Sequence, residues 1–208
     1  MDVTSGRRAL IHRALVLGYI TLAWNIAEAA ISMAAALLAG SRALLGFGLD
    51  SVVESLSACV LVWRLHAERR DPGQAERVEQ RALRFIGATF FVLAVFVGFE
   101  AIRSLVVRLE PESSPVGIGV TAVSLVVMPF LARAKHALGG HLNSRAVQAD
   151  AAQTKACAYL SAVVLAGLVL NAALGWWWAD PVAALAVVGF LVGEGVEALR
   201  AERVDDCC

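Results

Sequence analysis

The chain lacks net charge, a basic stripe and an internal repeat. Its 208 residues include 18 Lys and Arg and 18 Asp and Glu, so the formal net charge is zero. Without a basic stripe or an aromatic platform, this balance argues against a polyanionic partner such as nucleic acid. Apolar residues make up 59% of the sequence, and the mean hydropathy is +0.69. Because several apolar runs exceed about 18 residues, we predict an integral membrane protein with no room for a folded soluble domain.

The start of the chain also lacks the pattern of a cleaved secretory signal. Three arginines within residues 1–13 precede an apolar run that continues to about Ala39. This run is longer than the apolar core of a signal peptide, and it contains Asn25 and Glu28. We therefore predict a cytoplasmic N-terminus at residues 1–13, followed by a first transmembrane span that is retained.

Apolar segments recur along the rest of the chain, and the pattern predicts an all-α membrane protein with six transmembrane helices. After the first span, the predicted spans are Ala43–Leu65, Ala82–Val107, Val116–Ala132, Ala146–Leu174 and Pro181–Leu199. The predicted connections include a polar loop with some helix, His66–Arg84, an acidic link, Glu110–Pro115, and a basic connection, Arg133–Arg145. We assign residues 14–199 to one transmembrane domain and residues 200–208 to a cytoplasmic tail.

The distribution of positive charge predicts the orientation. Fourteen of the 18 Lys and Arg fall in the N-terminus, the second-to-third and fourth-to-fifth connections and the C-terminus. Positive residues concentrate on the cytoplasmic side of membrane proteins, so both termini are predicted to be cytoplasmic. The short connections suit a bacterial inner membrane.

Two carboxylates stand one helical turn apart in the second predicted span. Asp50 and Glu54 have i, i+4 spacing, which places them on one face of a helix. An acidic residue at the centre of a membrane helix costs roughly 2.5–3.5 kcal/mol on insertion scales. Carboxylates in a dry bundle are protonated or bound to a cation, so we predict that this pair is half of a metal site.

The fifth predicted span offers the other half. Asp150, Gln153 and Cys157 follow i, i+3 and i+7 spacing and share a helix face. Two carboxylates, an amide oxygen and a thiol suit a four-coordinate divalent ion, since zinc accepts oxygen and sulfur ligands together. Asp50, Glu54, Gln153 and Cys157 are therefore the predicted metal ligands.

Each of these residues also has a simpler structural interpretation. Asp50 and Glu54 would then form a protonated pair that is hydrogen-bonded across helices. Gln153 would bridge helices, and Cys157 would be a small buried residue. Asp150 either belongs to the second shell or lies at the cytoplasmic entrance, where it would attract cations or pair with Lys155.

Asn25 and Glu28 form a further polar face in the first span. They either line the permeation route or second shell, or bond to neighbouring helices. At the C-terminus, Cys207 and Cys208 would either capture a soft metal or belong to a dispensable tail.

These motifs resemble those of the cation diffusion facilitator family of metal cation transporters. Ser41–Leu56 is similar to the second-helix motif, in which a small-residue turn and an Ala-Leu pair precede an acidic or His residue and then Asp four residues later. Ala149-Asp150 with Gln153 and Cys157 resembles the fifth-helix motif, and Trp178–Leu185 resembles the start of the sixth helix. The resemblance covers nearly the whole chain and implies a six-helix transmembrane bundle.

By position, the resemblance implies that Asp50 and Glu54 are the second-helix ligands and that Gln153 and Cys157 are the fifth-helix ligands. The family usually has His or Asp at the first of these fifth-helix positions and Asp at the second. Gln is a weaker ligand than His, and Cys replaces a hard carboxylate with a soft thiol, so both departures bear on the metal. The chain resembles a short form without the family's cytoplasmic C-terminal domain, so we expect a homodimer held by membrane helices.

The resemblance implies a secondary active transporter that exports a divalent metal from the cytoplasm in exchange for protons. We expect zinc first, with cadmium, iron, cobalt or manganese as alternatives. Transport needs no bond-making chemistry and no prosthetic group, so we do not expect an enzyme. Two other classes stay open: an exporter of a small cationic organic substrate, and a non-transporting membrane interaction subunit.

Overall fold

The computed structural model describes residues 3–39, 42–71, 73, 75–108 and 115–205. Within these ranges the chain forms helices and no β-strand. The six helices are α1 (Val3–Ala39), α2 (Arg42–Arg70), α3 (Ala75–Val107), α4 (Pro115–Leu142), α5 (Arg145–Leu174) and α6 (Ala179–Asp205). Cys207 and Cys208 lie outside the described residues.

Four of the helices are long and apolar enough to cross a membrane. The qualifying stretches are Gly6–Leu38, Leu44–Arg70, Glu76–Val107 and Pro115–Leu142. This confirms the predicted all-helical integral membrane protein. The same criteria, applied to the described residues, do not select α5 or α6, so the six-span topology stays a prediction.

Helices replace most of the two long polar connections that we predicted. α2 continues to Arg70 and α3 begins at Ala75, so the predicted loop His66–Arg84 is mainly helical. Similarly, α4 continues to Leu142 and α5 begins at Arg145, so the predicted basic connection Arg133–Arg145 is also mainly helical. The added turns of α4 are amphipathic. They bury Lys135, Gly139 and Leu142 on one stripe against α5, and this packing stabilises the helix.

The two terminal helices extend into the predicted cytoplasmic segments. α1 begins at Val3, within the segment predicted as a cytoplasmic N-terminus, and α6 continues to Asp205, within the predicted tail. Helical structure therefore extends through most of both terminal segments.

The helices form two packed groups. α1, α2, α4 and α5 contact one another around the buried residues of one apolar cluster, which includes Phe47 of α2 and Met128 of α4. α3 and α6 pack together and lie against α5, around Phe90 and Leu191. α2 and α5 each contact α3 and therefore lie at the junction of the two groups.

Glycine permits a close approach of α1 and α2. A Cβ atom at Gly48 would lie 2.7 Å from Cγ of Met33 and 3.3 Å from its backbone nitrogen. Small residues let membrane helices pack closely, and here the contact lies less than one turn from Asp50. Gly48 therefore helps to set the distance between α1 and the acidic face of α2.

The turn between α4 and α5 is short and well defined. Asn143 has a left-handed φ of 50°, which Asn tolerates better than most residues, and the Ser144 amide donates to the carbonyl of Gly139 at 3.0 Å. The Ser144 hydroxyl then caps α5 by accepting a hydrogen bond from the Val147 amide at 3.2 Å.

An ionic network lies at one end of the bundle, where α1, α3 and α5 begin and α2 and α4 end. We call this region the charged end. Arg64 of α2 pairs with Glu68 at 2.6 Å and with Glu79 of α3. Glu68 also pairs with Arg7 of α1 at 2.6 Å. The Glu79 carboxylate accepts hydrogen bonds from the Ser144 hydroxyl at 2.9 Å and from the amide of Ala146 at 2.7 Å. The network therefore connects α1, α2, α3 and the N-terminus of α5.

Candidate cation site

The two acidic residues of α2 lie in the interior of the bundle. Asp50 and Glu54 are each only 1% exposed, and the continuous helix between them directs both to the same side. Oδ2 of Asp50 and both carboxylate oxygens of Glu54 have no hydrogen-bond partner. The structure therefore supports the predicted shared face, and it leaves strong acceptor atoms unsatisfied there.

Glu28 of α1 joins this face directly. Its Oε2 atom accepts a hydrogen bond of 2.7 Å from the Ser51 hydroxyl and a longer contact of 3.9 Å from the Cys157 thiol. Its Oε1 atom is buried and forms no hydrogen bond of normal geometry, although the Ser124 and Trp24 side chains lie beside Glu28. Glu28 was predicted to line the route, belong to a second shell or bond neighbouring helices. It in fact lies in contact with a predicted metal ligand.

Asn25 lies one turn before Glu28 and is fully buried. Both of its side-chain polar atoms lack a hydrogen-bond partner, as does the hydroxyl of Ser32 further along α1. Glu28 therefore bonds a neighbouring helix through Ser51, whereas the side chains of Asn25 and Ser32 form no hydrogen bond that would explain their burial.

Cys157 brings α5 into the same cluster. Its side chain is fully buried, and besides Glu28 it lies beside Asp50 and Glu54. Thr154, one turn earlier on α5, also lies beside Glu54 without forming a hydrogen bond of normal geometry. Three helices thus place three carboxylates and one thiol around a common interior region, which we call the acidic cluster (Glu28, Asp50, Glu54 and Cys157).

Gln153 is buried but bonded to a different helix. Its Nε2 atom donates to the Thr89 hydroxyl of α3 at 3.3 Å, and Thr89 is in turn 3.0 Å from the Ser57 hydroxyl. Asp150, Gln153, Thr154 and Cys157 form a polar stripe along α5. At about 100° per residue, Gln153 lies about 40° from Cys157 around the helix axis, toward one edge of this stripe. The structure therefore brings Cys157 to the acidic cluster and gives Gln153 a partner outside it.

Asp150 pairs with Lys135 of α4 rather than with Lys155. Lys135 Nζ is 2.7 Å from Asp150 Oδ2 and donates to the Thr154 hydroxyl at 2.8 Å. The Lys155 ammonium instead lies 5.6 Å from the ring centroids of Tyr159 and of Phe190. The suggested Asp150–Lys155 pair was therefore wrong, because these residues face different sides of α5.

Sequence analysis missed Lys135 because it assigned this residue to a basic connection between two spans. A usable signal was present: Met128, Ala132, Lys135, Gly139 and Leu142 recur every three or four residues and mark one helix face. All five residues are buried in the structure. The same periodicity would have predicted a buried lysine facing α5.

The side chains of the acidic cluster are not arranged as a closed set of metal ligands. Within residues 3–39, 42–71, 75–108 and 115–205, no three His, Cys, Asp or Glu side chains are arranged to hold a metal. A large groove lies elsewhere, between α4, α5 and α6. It has a volume of about 1430 Å³ and is lined by charged residues that include His136, Lys155, Glu194 and Glu197. Closing around an ion would therefore require side-chain movement in the acidic cluster.

The fold and the acidic cluster define a class: an all-helical integral membrane protein with carboxylates and a thiol buried between its helices. Comparison with protein families then identifies the particular family within this class. Residues 19–204 of the 208 match the family described as the cation efflux transmembrane domain. The chain belongs to this family, which confirms the resemblance drawn from the second-, fifth- and sixth-helix motifs.

Curated relatives are distant in sequence and longer than this chain. An uncharacterized transporter of Synechocystis is 27% identical over 180 residues, covering 84% of this chain and 58% of the relative. An uncharacterized transporter of Methanocaldococcus jannaschii is 25% identical over 173 residues, covering 81% and 61%. Transmembrane protein 163 of Xenopus laevis is 28% identical over 138 residues, covering 66% and 48%. The chain thus spans about half to three fifths of the length of these relatives.

Proposed function

We propose that the chain is a secondary active transporter that exports a divalent transition-metal cation, zinc first, from the cytoplasm in exchange for protons. Two findings outside the site support this proposal. The chain belongs to a cation efflux family, and two of its relatives are named as transporters.

The observation that carries the proposal is the set of unsatisfied acceptors in the acidic cluster. Glu54 has two oxygens without a partner, and Glu28 and Asp50 have one each. Buried polar groups are normally hydrogen-bonded, and a buried charge needs a partner because desolvation is costly. Protons or a cation supply that partner, so the cluster suits a site that alternates between the two.

The cation ligands in this proposal are Asp50, Glu54 and Cys157, with Glu28 next to them. Gln153, the fourth predicted ligand, would reach the ion only by leaving its bond to Thr89. Carboxylate with thiolate favours zinc or cadmium over harder ions such as manganese, since thiolate selects softer metals. Cadmium, iron, cobalt and manganese remain the alternative substrates.

Metal binding and proton binding exclude each other at such ligands. A carboxylate and a thiol must lose their protons to bind a metal, so loading releases protons and protonation displaces the ion. We propose that this exchange couples metal efflux to proton entry.

The remaining features of the proposal concern the assembly. Six spans with both termini in the cytoplasm agree with the charge distribution. A bacterial inner membrane and a homodimer through membrane helices complete the proposal. Reporter fusions at each connection test the topology, and native mass spectrometry of the full chain tests the dimer.

Transport into proteoliposomes tests the function. Zn²⁺, Cd²⁺, Mn²⁺ and Fe²⁺ uptake would be measured under an imposed pH gradient for the wild type, Asp50→Asn and Glu54→Gln. We expect each variant to lose at least about 100-fold in flux, more than the 10–100-fold that supporting residues of metal sites carry. Glu100→Gln is the matched control, because Glu100 is an acid in a predicted span whose side chain is 29% exposed and paired with Arg103.

Normal metal flux in Asp50→Asn and Glu54→Gln would contradict the assignment of the site. Flux of an organic cation that metal does not inhibit would favour the second functional class. No flux and no metal binding in purified wild-type protein would favour the interaction subunit.

A further inference from the structure

Lys135 is a buried cation beside the acidic cluster. Its side chain is 2% exposed, and its ammonium contacts Asp150 and Thr154, both of which are fully buried. A lysine of this kind is rarely enclosed unless it is paired. Its position on α4 therefore depends on the polar stripe of α5.

The charge of Lys135 also acts on Glu54. Lys135 is the positively charged group that attracts the Glu54 carboxylate, while Asp150 is a nearby carboxylate that repels it. Neither oxygen of Glu54 is held by a hydrogen bond. The ammonium therefore contacts one carboxylate and influences a second, which is a proposed cation ligand.

The order of residues along α5 places Lys135 toward the charged end of the bundle. Asp150, Thr154 and Cys157 occupy successive turns, and they lie beside Lys135, Glu54 and Asp50 respectively. Measured along the bundle from the charged end, the Lys135–Asp150 pair comes first, Glu54 lies about one helical turn beyond it, and Asp50 lies about one turn beyond Glu54. A cation that entered from the charged end would meet the pair before it met the acidic cluster.

Resting on the proposed cation transport, we propose that Lys135 is a tethered counter-ion that sets the cation affinity of the acidic cluster. In the absence of a metal, its ammonium balances Asp150 and part of the charge of Glu54. When a divalent cation binds, the same fixed positive charge opposes it. Asp150 has the role of a positioning residue, because it holds the ammonium away from the ligand positions.

This assignment makes an unusual prediction for Asp150. Asp150→Asn removes the partner of Lys135, so the ammonium becomes free to pair with Glu54 and to compete with the metal. Metal affinity should fall by about tenfold or more, although Asp150 is not a ligand, because like charges repel strongly at low dielectric. Removing the lysine in the same chain, in Lys135→Met with Asp150→Asn, should restore affinity to within about threefold of wild type.

Lys135→Met alone should have the opposite effect. It removes the opposing charge and leaves Asp150 as an additional attractive group, so Zn²⁺ affinity should rise by about tenfold or more. The matched control is Lys155→Met, which removes a lysine of α5 that lies over Tyr159 and Phe190 and faces away from the cluster. This control should bind Zn²⁺ as the wild type does.

The experiment is equilibrium Zn²⁺ binding to the purified full chain, measured by calorimetry for the wild type and these variants, with folding checked by gel filtration and circular dichroism. Unchanged affinity in the folded single variants would overturn the proposal and leave Lys135–Asp150 as a structural pair. Loss of affinity in Asp150→Asn that Lys135→Met does not rescue would also overturn it and make Asp150 a ligand. If Lys135→Met does not fold, Lys135→Gln, which keeps a polar side chain but not the charge, decides: a Zn²⁺ affinity above that of the wild type supports the proposal, and an unchanged affinity contradicts it.

The proposed function is tested separately by the wild type in the same experiment. If the wild type binds no Zn²⁺ or other divalent metal, the transport proposal fails and the counter-ion proposal fails with it. If the wild type binds Zn²⁺ and Asp50→Asn does not, while the Lys135 variants match the wild type, only the counter-ion proposal fails.

Discussion

Replacing Arg64 tests the ionic network at the charged end. Arg64 and Glu68 are each only 4% exposed at their side chains, and Arg64 also pairs with Glu79. Arg64→Met keeps a long apolar side chain but leaves both carboxylates without this cation. Removing one member of a buried ion pair costs about 3–5 kcal/mol, because the remaining charge stays desolvated.

The structure places this cost toward the lower end of that range. Glu68 would keep Arg7, and Glu79 would keep its hydrogen bonds from Ser144 and from the amide of Ala146 at the N-terminus of α5. We therefore expect Arg64→Met to lower the free energy of unfolding by about 3 kcal/mol.

Arg7→Met is the matched control. Arg7 contacts the same Glu68 carboxylate at 2.6 Å, but its own side chain is 49% exposed. Pairs that reach solvent contribute about 0–1 kcal/mol, so the control should differ little from the wild type. The comparison separates burial from the mere presence of an ion pair.

Unfolding in mixed micelles with increasing SDS, followed by circular dichroism, would measure these free energies. Equal losses for Arg64→Met and Arg7→Met would refute the reasoning, since burial would then have no effect. Adding Glu68→Gln to Arg64→Met should recover part of the loss, about 1–2 kcal/mol, because the buried Glu68 carboxylate, which then keeps only its pair with the half-exposed Arg7, no longer carries a charge.

Three further changes address the acidic cluster and its surroundings. Cys157→Asp should shift the ratio of Zn²⁺ to Mn²⁺ flux toward Mn²⁺, because a hard carboxylate replaces a soft thiol; an unchanged ratio would exclude the thiol from the metal site. Gly48→Val should lower the free energy of unfolding by about 1–3 kcal/mol through overpacking against Met33, whereas Gly119→Val, at a glycine with open space around it, should cost less. Gln153→Leu should weaken Zn²⁺ binding more than Thr89→Val does in the same calorimetric assay; equal effects would assign Gln153 to helix packing.

Local spacing was sufficient to predict part of the candidate site. Asp50 and Glu54 belong to one continuous helix, so i, i+4 spacing fixes their common face whatever surrounds it. The same holds for Asp150 and Cys157 on α5. Apolar run length likewise predicted membrane-spanning helices, because it reflects the thickness of the bilayer.

Helix ends were harder to predict than helix centres. Polar and basic residues between Arg133 and Arg145 resemble a loop when they are counted by composition. In the structure these turns are stabilised by burying one stripe against α5, which is a property of two helices together. Composition averages over that stripe and therefore missed it.

The sequence by itself determined the class of protein, the family and the acidic face of α2, because each depends on residues that are close along the chain. Only the tertiary structure decided that Glu28 contacts Cys157, that Gln153 bonds to Thr89, and that Lys135 pairs with Asp150. Each of these contacts joins two helices, and their relative rotation is set by packing over the whole bundle. Spacing within one helix does not contain that information.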